Sequence, residues 1–583
     1  MRVDELIISY LDLIILDSII KEEFYMKNVK KIIIVVAASL ALVACAGQEP
    51  AVTPTPAAPG TAPAETGGNN NVQGTRVVTT GLPATAVQVF FDGDTYEENR
   101  WTRLIRERLD IEVDVVFVQD TTTDAYNNWM NAMLATGNLP DVVRHGDISW
   151  LVRAQEAGFL MDISDVFESY ASPSVQHWRT LYPQSFDGVS FNGRLYGFPF
   201  INDTFHEAPF LWIRDDWLEY AGGQAPRTVD EMVELARVFT HGNPSGPGVE
   251  TFGFALSREI VPGNFGSITG LIGAFGVPAG PGPDGIFFHR DGQMTFSYIQ
   301  PEVREALEVL RYMFAEGLIN PEFIANDFSA MEANISEGRY GMMYHRNWGN
   351  WHPFSHSFQR DGVITRPYPV PTVPGRDLRL GVSSNVGGEF FVISANAQHP
   401  EAIMEILNLY QEVVIEFEDE AQLERYREDS QWRLAPIAVV VPTELHAPAV
   451  FQAFDDNGAT IAGVARRAWR HTMDFQSGEA TTPAAYGTWG QMNLDREFGG
   501  SMNIALNHYR PMGALVENLM QIERPDIWLQ NSSVLQTMME IAFTDIIIGN
   551  APIDSFDVFV EQWLAAGGQA TLDALEIIYQ ASN

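Results

Sequence analysis

Lysine is almost absent: it occurs only at positions 21, 27, 30 and 31 of the 583 residues, so every basic residue beyond position 44 is arginine. Lysine loses its charge near pH 10 and arginine keeps it, so such usage suits an alkaline or very salty exterior, and genomic base composition explains it equally well. Cysteine occurs once, at Cys45, which excludes an internal disulfide. Positive charge is scarce. Beyond residue 44 there remain 31 basic and 69 acidic side chains, a formal charge of −38, which makes nucleic acid and anionic membrane surfaces poor partners. Motifs for common single-site chemistry are also missing: there is no G-x-S-x-G elbow, P-loop or H-E-x-x-H, and beyond the N-terminal region no apolar run is long enough to span a bilayer. Carboxylates are so numerous that a glycosidase pair can be neither found nor excluded.

What is present begins at Met26. Lys27, Lys30 and Lys31 precede the apolar run Ile32 to Leu42, which ends in Leu42-Val43-Ala44-Cys45. A basic end, a short apolar segment and small residues before a cysteine make an export signal with a lipidation box. The pattern resembles bacterial lipoproteins, which implies that Cys45 carries the lipid, becomes the mature N-terminus and holds the chain to the cell membrane facing outward. Residues 1–25 carry acid where a signal needs base, and Lys21-Glu22-Glu23 can be encoded as a ribosome-binding site, so translation is expected to start at Met26. A second membrane segment over Ile7 to Ile20 is interrupted by Asp12 and Asp17.

Residues 45–81 are rich in Pro, Ala, Thr, Gly and Asn and read as a disordered tether. The remaining 500 or so residues, within a chain that is 46% hydrophobic, suffice for two lobes. Val87 to Phe91 reads as a strand, Tyr96 to Leu109 as a helix, Ile111 to Val118 as a strand and Tyr126 to Leu134 as an amphipathic helix, with a third strand from Asp141. This alternation predicts an α/β lobe with a mostly parallel sheet. Thr228 to Glu231 is a capping box, and Pro301 and Pro400 open further helices, the latter after a strand at Phe390 to Ser394. Two aromatic groups stand out: Tyr344, Trp348 and Trp351, and Trp212 and Trp217 beside Arg214, Asp215 and Asp216. A sugar ring lays its C–H face on such an indole and hydrogen-bonds its hydroxyl edge to acids, amides and arginines, whereas a tryptophan at strand or helix spacing more often fills a core.

Met133 to Val143 (MLATGNLPDVV), Phe191 to Pro199 (FNGRLYGFP), Leu211 to Leu218 (LWIRDDWL), Glu337 to Met342 (EGRYGM) and Val392 to Ala402 (VISANAQHPEA) are similar, in order, to the blocks of extracellular solute-binding proteins of ABC importers, family 1 type. The resemblance spans about residues 80 to 583. It implies a two-lobe periplasmic-binding-protein-like fold (type II), with residues 82–200 and about 389–440 as lobe 1, 201–388 as lobe 2 and 441–583 as a helical region completing the lobes. Crossover strands are then expected near Tyr196 to Phe200 and Glu389 to Ser394. The implied function is capture of a carbohydrate, an oligosaccharide by preference, by a monomer that delivers it to ABC permease membrane subunits, with no catalysis and no cofactor. A peptide or other oligomer as ligand, or a surface glycoside hydrolase, are the alternatives. Trp348 matches the stacking tryptophan of sugar-binding members. Trp351, Trp212 and Trp150 are further stacking candidates, and Asp92, Asp147, Arg346, Asn347 and Glu389 are polar ones from their places at strand ends, loops or crossovers. Long members often carry an acidic calcium loop after the capped helix; here His241 to Thr251 keeps the turn residues but loses nearly all the carboxylates, so no metal is expected there.

Overall fold

The computed structural model describes residues 76–582 except 85–89, 92, 121–124, 202, 207, 262–265, 281–284, 383–388, 417–420, 422–424, 427–430, 432, 439–442, 459–460, 462 and 521–523. The export signal, the lipidation box with Cys45, most of the tether and Asp92 lie outside the described residues. Among the described residues nine strands form two principal sheets: β1 (Arg76–Ala84), β2 (Ile111–Asp120), β3 (Val142–His145), β4 (Gly197–Pro199), β5 (Phe210–Arg214), β6 (Phe252–Phe254), β7 (Tyr340–His345), β8 (Thr365–Tyr368) and β9 (Phe390–Ile393).

The first sheet has the order β2-β1-β3-β9-β4 and the second β8-β5-β7-β6. In the first, β1 runs parallel to β2 and β3, while β9 runs antiparallel to both β3 and β4. In the second, β5 is antiparallel to β7 and β8, and β6 is parallel to β7. The α/β two-lobe architecture is as expected, but the sheets are mixed rather than mostly parallel. The reason lies in the crossovers. A strand that leaves for the other lobe ends at the crossover edge, as β4 does at Pro199, whereas an arriving strand starts there, as β5 does at Phe210 and β9 at Phe390. Arriving strands must therefore run against departing ones.

The tether gives way earlier than composition suggested, because Val77-Val78-Thr79-Thr80 is a β-branched run that pairs with β2 from Arg76↔Ile111 onward. Val78 and Thr80 point inward, each 1% exposed. Of the strand expected at Val87 to Phe91, residues 87–89 lie outside the described residues, and Phe90 and Phe91 are exposed and belong to no strand. Helix α1 (Arg100–Leu109) starts later than expected because Asn99 caps it, accepting from the Trp101 and Thr102 amides. Helices α2 (Ala125–Thr136) and α3 (Ile148–Glu156) follow, and α4 (Val229–Gly242) opens on the expected capping box of Thr228 and Glu231. Helices α5 (Pro301–Ala315), α6 (Phe328–Ser336), α7 (Phe354–Asp361), α8 (Pro400–Tyr410) and α9 (Pro483–Met492) complete the frame around the site.

Each sheet has its own core. The first gathers Trp101, Trp150, Trp178, Phe198, Val392, Leu407 and Ile437, and the second Trp212, Trp217, Leu310, Tyr344, Trp489, Trp528 and Trp563. The second thus draws in the helices that follow Ala447. The polypeptide passes between the cores three times, over residues 200–209, 383–389 and 439–446.

Candidate functional site

The register brings His145, Phe390 and Pro199 side by side at one end of the first sheet. It brings Phe210 opposite His345, with Tyr368 opposite Leu211, at one end of the second. Only ten residues separate Pro199 from Phe210, so these two ends face the same crossovers. The polar side chains collect there.

On the first lobe, the Phe200 amide donates to the Glu389 carbonyl at 2.7 Å, which fixes the start of the first crossover against the end of the second. The Glu389 carboxylate receives the Arg144 guanidinium, which also lies 5.3 Å over the Phe200 ring. Asp147 caps α3 by accepting from the Ser149 amide at 2.8 Å, and its side chain stays 47% exposed. Between them His145 is buried and edge-on to Trp150 at 4.9 Å. Burial pushes its imidazole down to about 4, against the opposing pull of the Asp147 and Glu389 carboxylates.

On the second lobe, β7 ends at His345 and the chain turns through Arg346 to Pro353, with the Trp351 amide donating to the Trp348 carbonyl at 2.9 Å. His345 stands edge-on to the Trp348 ring at 4.4 Å, and burial keeps its pKa well below the usual value. Trp348 is half-buried, and its indole N–H is shielded from solvent without a hydrogen-bond partner. Asn347 is held on both sides: its amide donates to Asp203 at 3.3 Å and its carbonyl accepts from Ser501 at 2.7 Å. Trp351 is 39% exposed, donates to Gln491 at 3.2 Å and lies over Gly487, where a Cβ would sit 2.4 Å from the ring. Glycine is required there because a side chain would lift the indole off α9.

Asp203, 5% exposed in the first crossover, accepts from the Glu444 amide at 2.7 Å as well as from Asn347. The Glu444 carboxylate in turn accepts from the Thr204 hydroxyl and Arg510, each at 2.8 Å. Two of the three crossovers and the tryptophan loop therefore meet at one polar node. Chemically, the site offers a half-buried indole with an unused donor and a guanidinium on one lobe, and two partly exposed carboxylates on the other, while the buried Asn347 amide is taken up by Asp203. That set suits a ligand with both C–H faces and hydroxyl edges. A separate depression with about 850 Å³ of open space is lined by Phe275, Glu302, Glu305, Arg376 and others, but Arg376 and Glu305 already satisfy each other at 2.8 Å and Arg376 covers the Phe275 ring.

Two expected stacking residues are corrected. Trp150 and Trp212 are fully buried, and their indole N–H groups go to the Met130 carbonyl at 3.0 Å and to the Arg346 carbonyl at 3.0 Å. Trp150 lies in the first turn of α3 facing the first core, and Trp212 lies mid-strand between β7 and β8, so neither has a free face. Tyr344 and Trp217 are buried likewise. Trp348, Trp351, Arg346 and Asn347 share one loop, and Asp147 and Glu389 share the facing sheet end; Asp92 lies outside the described residues. Sequence reasoning missed Arg144, Asp203 and Glu444. Arg144 was within reach, two residues before a glycine at the end of a strand; the other two are 241 positions apart and carry no local signal.

Residues 96–412 match the family of bacterial extracellular solute-binding proteins. Among curated proteins, the polygalacturonan/rhamnogalacturonan-binding protein YtcQ of Bacillus subtilis is 26% identical over 253 residues, which are 42% of this chain and 46% of that protein. The fructooligosaccharide ABC transporter substrate-binding protein FusA of Streptococcus pneumoniae is 23% identical over 258 residues, with 42% and 46% covered. The chain thus spans about half the length of the curated relatives it matches. Among solved structures, FusA in complex with kestose aligns with a TM-score of 0.59 at 16% identity, covering 87% of this chain and 100% of that one. An HMO binding ABC-transporter associated solute-binding protein of Bifidobacterium longum infantis aligns with a TM-score of 0.58 at 16% identity, covering 87% and 99%. At these identities the structural likeness carries the two-lobe fold.

Proposed function

Since the chain belongs to the bacterial extracellular solute-binding protein family, we propose that it is the lipid-anchored substrate-binding protein of an ABC importer, capturing an oligosaccharide between its two lobes. The observation that carries the reading is the Trp348 loop. A half-buried indole with an unpartnered N–H, flanked by Arg346 and Asn347, stands at the sheet end beside the crossovers. A sugar laid on that ring gains a C–H face contact, and one hydroxyl oxygen accepts from the indole. Asp147 and Glu389 supply acceptors for hydroxyls from the other lobe. The ligands named for the curated relatives, polygalacturonan/rhamnogalacturonan and fructooligosaccharide, support a carbohydrate as the ligand class.

Closure over the ligand must be worth only a few kcal/mol, because a state that cannot reopen cannot deliver. Cys45 would hold the molecule to the membrane by its lipid, facing outward. Among the described residues no helix is long and apolar enough to cross a membrane. The closed monomer would dock on the permease subunits, and its net charge of −39 over the whole chain argues against nucleic acid as a partner. The test is a thermal-shift panel of neutral and acidic oligosaccharides and of peptides, followed by small-angle scattering with each hit. A sugar that raises the melting temperature and contracts the scattering envelope supports the reading. Response to peptides alone moves the ligand class, and release of reducing ends from a polysaccharide by the purified protein points to a hydrolase.

A further inference from the structure

Away from the crossovers, Glu332 on α6 faces two histidines at the exit of the tryptophan loop. Its Oε1 lies 3.3 Å from His352 Nε2 and in direct contact with His356 Nδ1. One ligand atom from each of the three residues lies within 4.8 Å of the others. We propose that Glu332, His352 and His356 form a divalent-cation site of the zinc class, with the fourth position left to water.

Three features favour this reading over a simple carboxylate–histidine contact. First, the donor set of two imidazoles and one carboxylate is that of open zinc sites, and two ligand atoms each about 2.0–2.1 Å from a tetrahedral zinc lie about 3.3 Å apart. The observed 3.3 Å between Glu332 and His352 already has that spacing. Second, the ion pairs of Glu332 are with histidines alone. Among the described residues most carboxylate ion pairs are made with arginine, but no arginine competes for this one. Third, the rings are set. His352 is stacked on Phe328 at 5.3 Å with planes 9° apart, His352 and His356 stand at 83° to each other, and one nitrogen of each ring lies against the same Glu332 oxygen.

The side chains are between 17% and 40% exposed, so an ion can enter from solvent without unfolding. Once bound, it would tie α6 to the start of α7 and so fix the far end of the loop that carries Trp348 and Trp351. The site stands whether or not that loop binds sugar.

The test is titration of the chelator-treated, tag-free protein with zinc chloride by calorimetry, with cobalt(II) as an optical probe. One equivalent of zinc at micromolar affinity or tighter is expected, with a cobalt d–d absorption of tetrahedral intensity. Both should weaken at least about tenfold in Glu332→Gln and His356→Asn, as loss of a ligand should cost at least what loss of its support does. Should Glu332→Gln fail to fold by circular dichroism, the more exposed His356→Asn carries the test. Zinc uptake unchanged in the variants, no uptake at all, or calcium bound as tightly as zinc would each overturn the proposal.

Discussion

Trp212, in strand β5, and Trp348, in the loop that follows the neighbouring strand β7, have opposite fates. Trp212 has spent its N–H on the Arg346 carbonyl and has no exposed surface, whereas Trp348 keeps its N–H unspent. The Trp348→Ala protein should therefore fold normally and bind the proposed oligosaccharide ligand roughly tenfold or more weakly, about 1.4 kcal/mol or above by calorimetry. Trp212→Ala should instead lose about 3–5 kcal/mol of stability in denaturant titration through the cavity it leaves. From sequence both looked alike, because an aromatic in an apolar neighbourhood does not declare which way it faces; only the loop position and the family blocks set Trp348 apart. His145 gives a pH prediction. Unfolded, it takes its proton near 6.5, and folded only near 4, since burial among Trp150, Tyr126 and Phe390 outweighs Asp147 and Glu389 while Arg153 adds to the depression. Protons therefore bind the unfolded chain first, so stability is full above pH 6.5 and falls as pH drops toward 4, by up to about 3 kcal/mol. In His145→Gln the pH dependence of the denaturation midpoint should flatten over that window.

Elements whose ends carry their own chemistry were legible. The Thr228 and Glu231 box, Pro301 and Pro400 each mark a helix start that the structure keeps, because a cap or a fixed φ acts within one turn and needs no distant partner. Strand β1 was not, since Val77 to Thr80 is short and follows a Pro-, Gly- and Thr-rich stretch; its state is decided by β2 and β3, more than thirty residues on. Sheet direction was misjudged for a similar reason, as no local pattern tells an arriving strand from a departing one. Two substitutions separate local from tertiary terms in the same unit. Thr228→Ala removes the acceptor for the Glu231 amide and should cost about 1 kcal/mol. Gly253→Ala in β6 would place a Cβ 2.1 Å from the Ala236 carbonyl oxygen of α4, backbone against backbone, and should cost at least about 1–3 kcal/mol. Denaturant midpoints of the two variants, ranked in that order, check both.

At the scale of the molecule the tie between halves rests on contacts no periodicity announces. Asp203 joins Glu444, 241 positions away, and Asn347, 144 away. Replacing Asp203 by alanine leaves two donors without their acceptor, so a loss of about 1–3 kcal/mol is expected. The scattering radius of the ligand-free protein should also grow, as the crossovers are freed from the tryptophan loop; an unchanged radius would mean that the node does not set the resting angle. That two lobes would exist was readable, because sustained α/β alternation and an ordered series of family blocks are long-range signals. How they are fastened was not.

The threefold passage of the backbone has a consequence for survival outside the cell. A protease that severs one of the stretches 200–209, 383–389 or 439–446 leaves two covalent strings still intact, and neither core loses a strand by the cut. A singly nicked molecule should run as two bands once denatured yet migrate as one species in native gels, which gives an exposed receptor a tolerance to damage that a two-string design would have only in part.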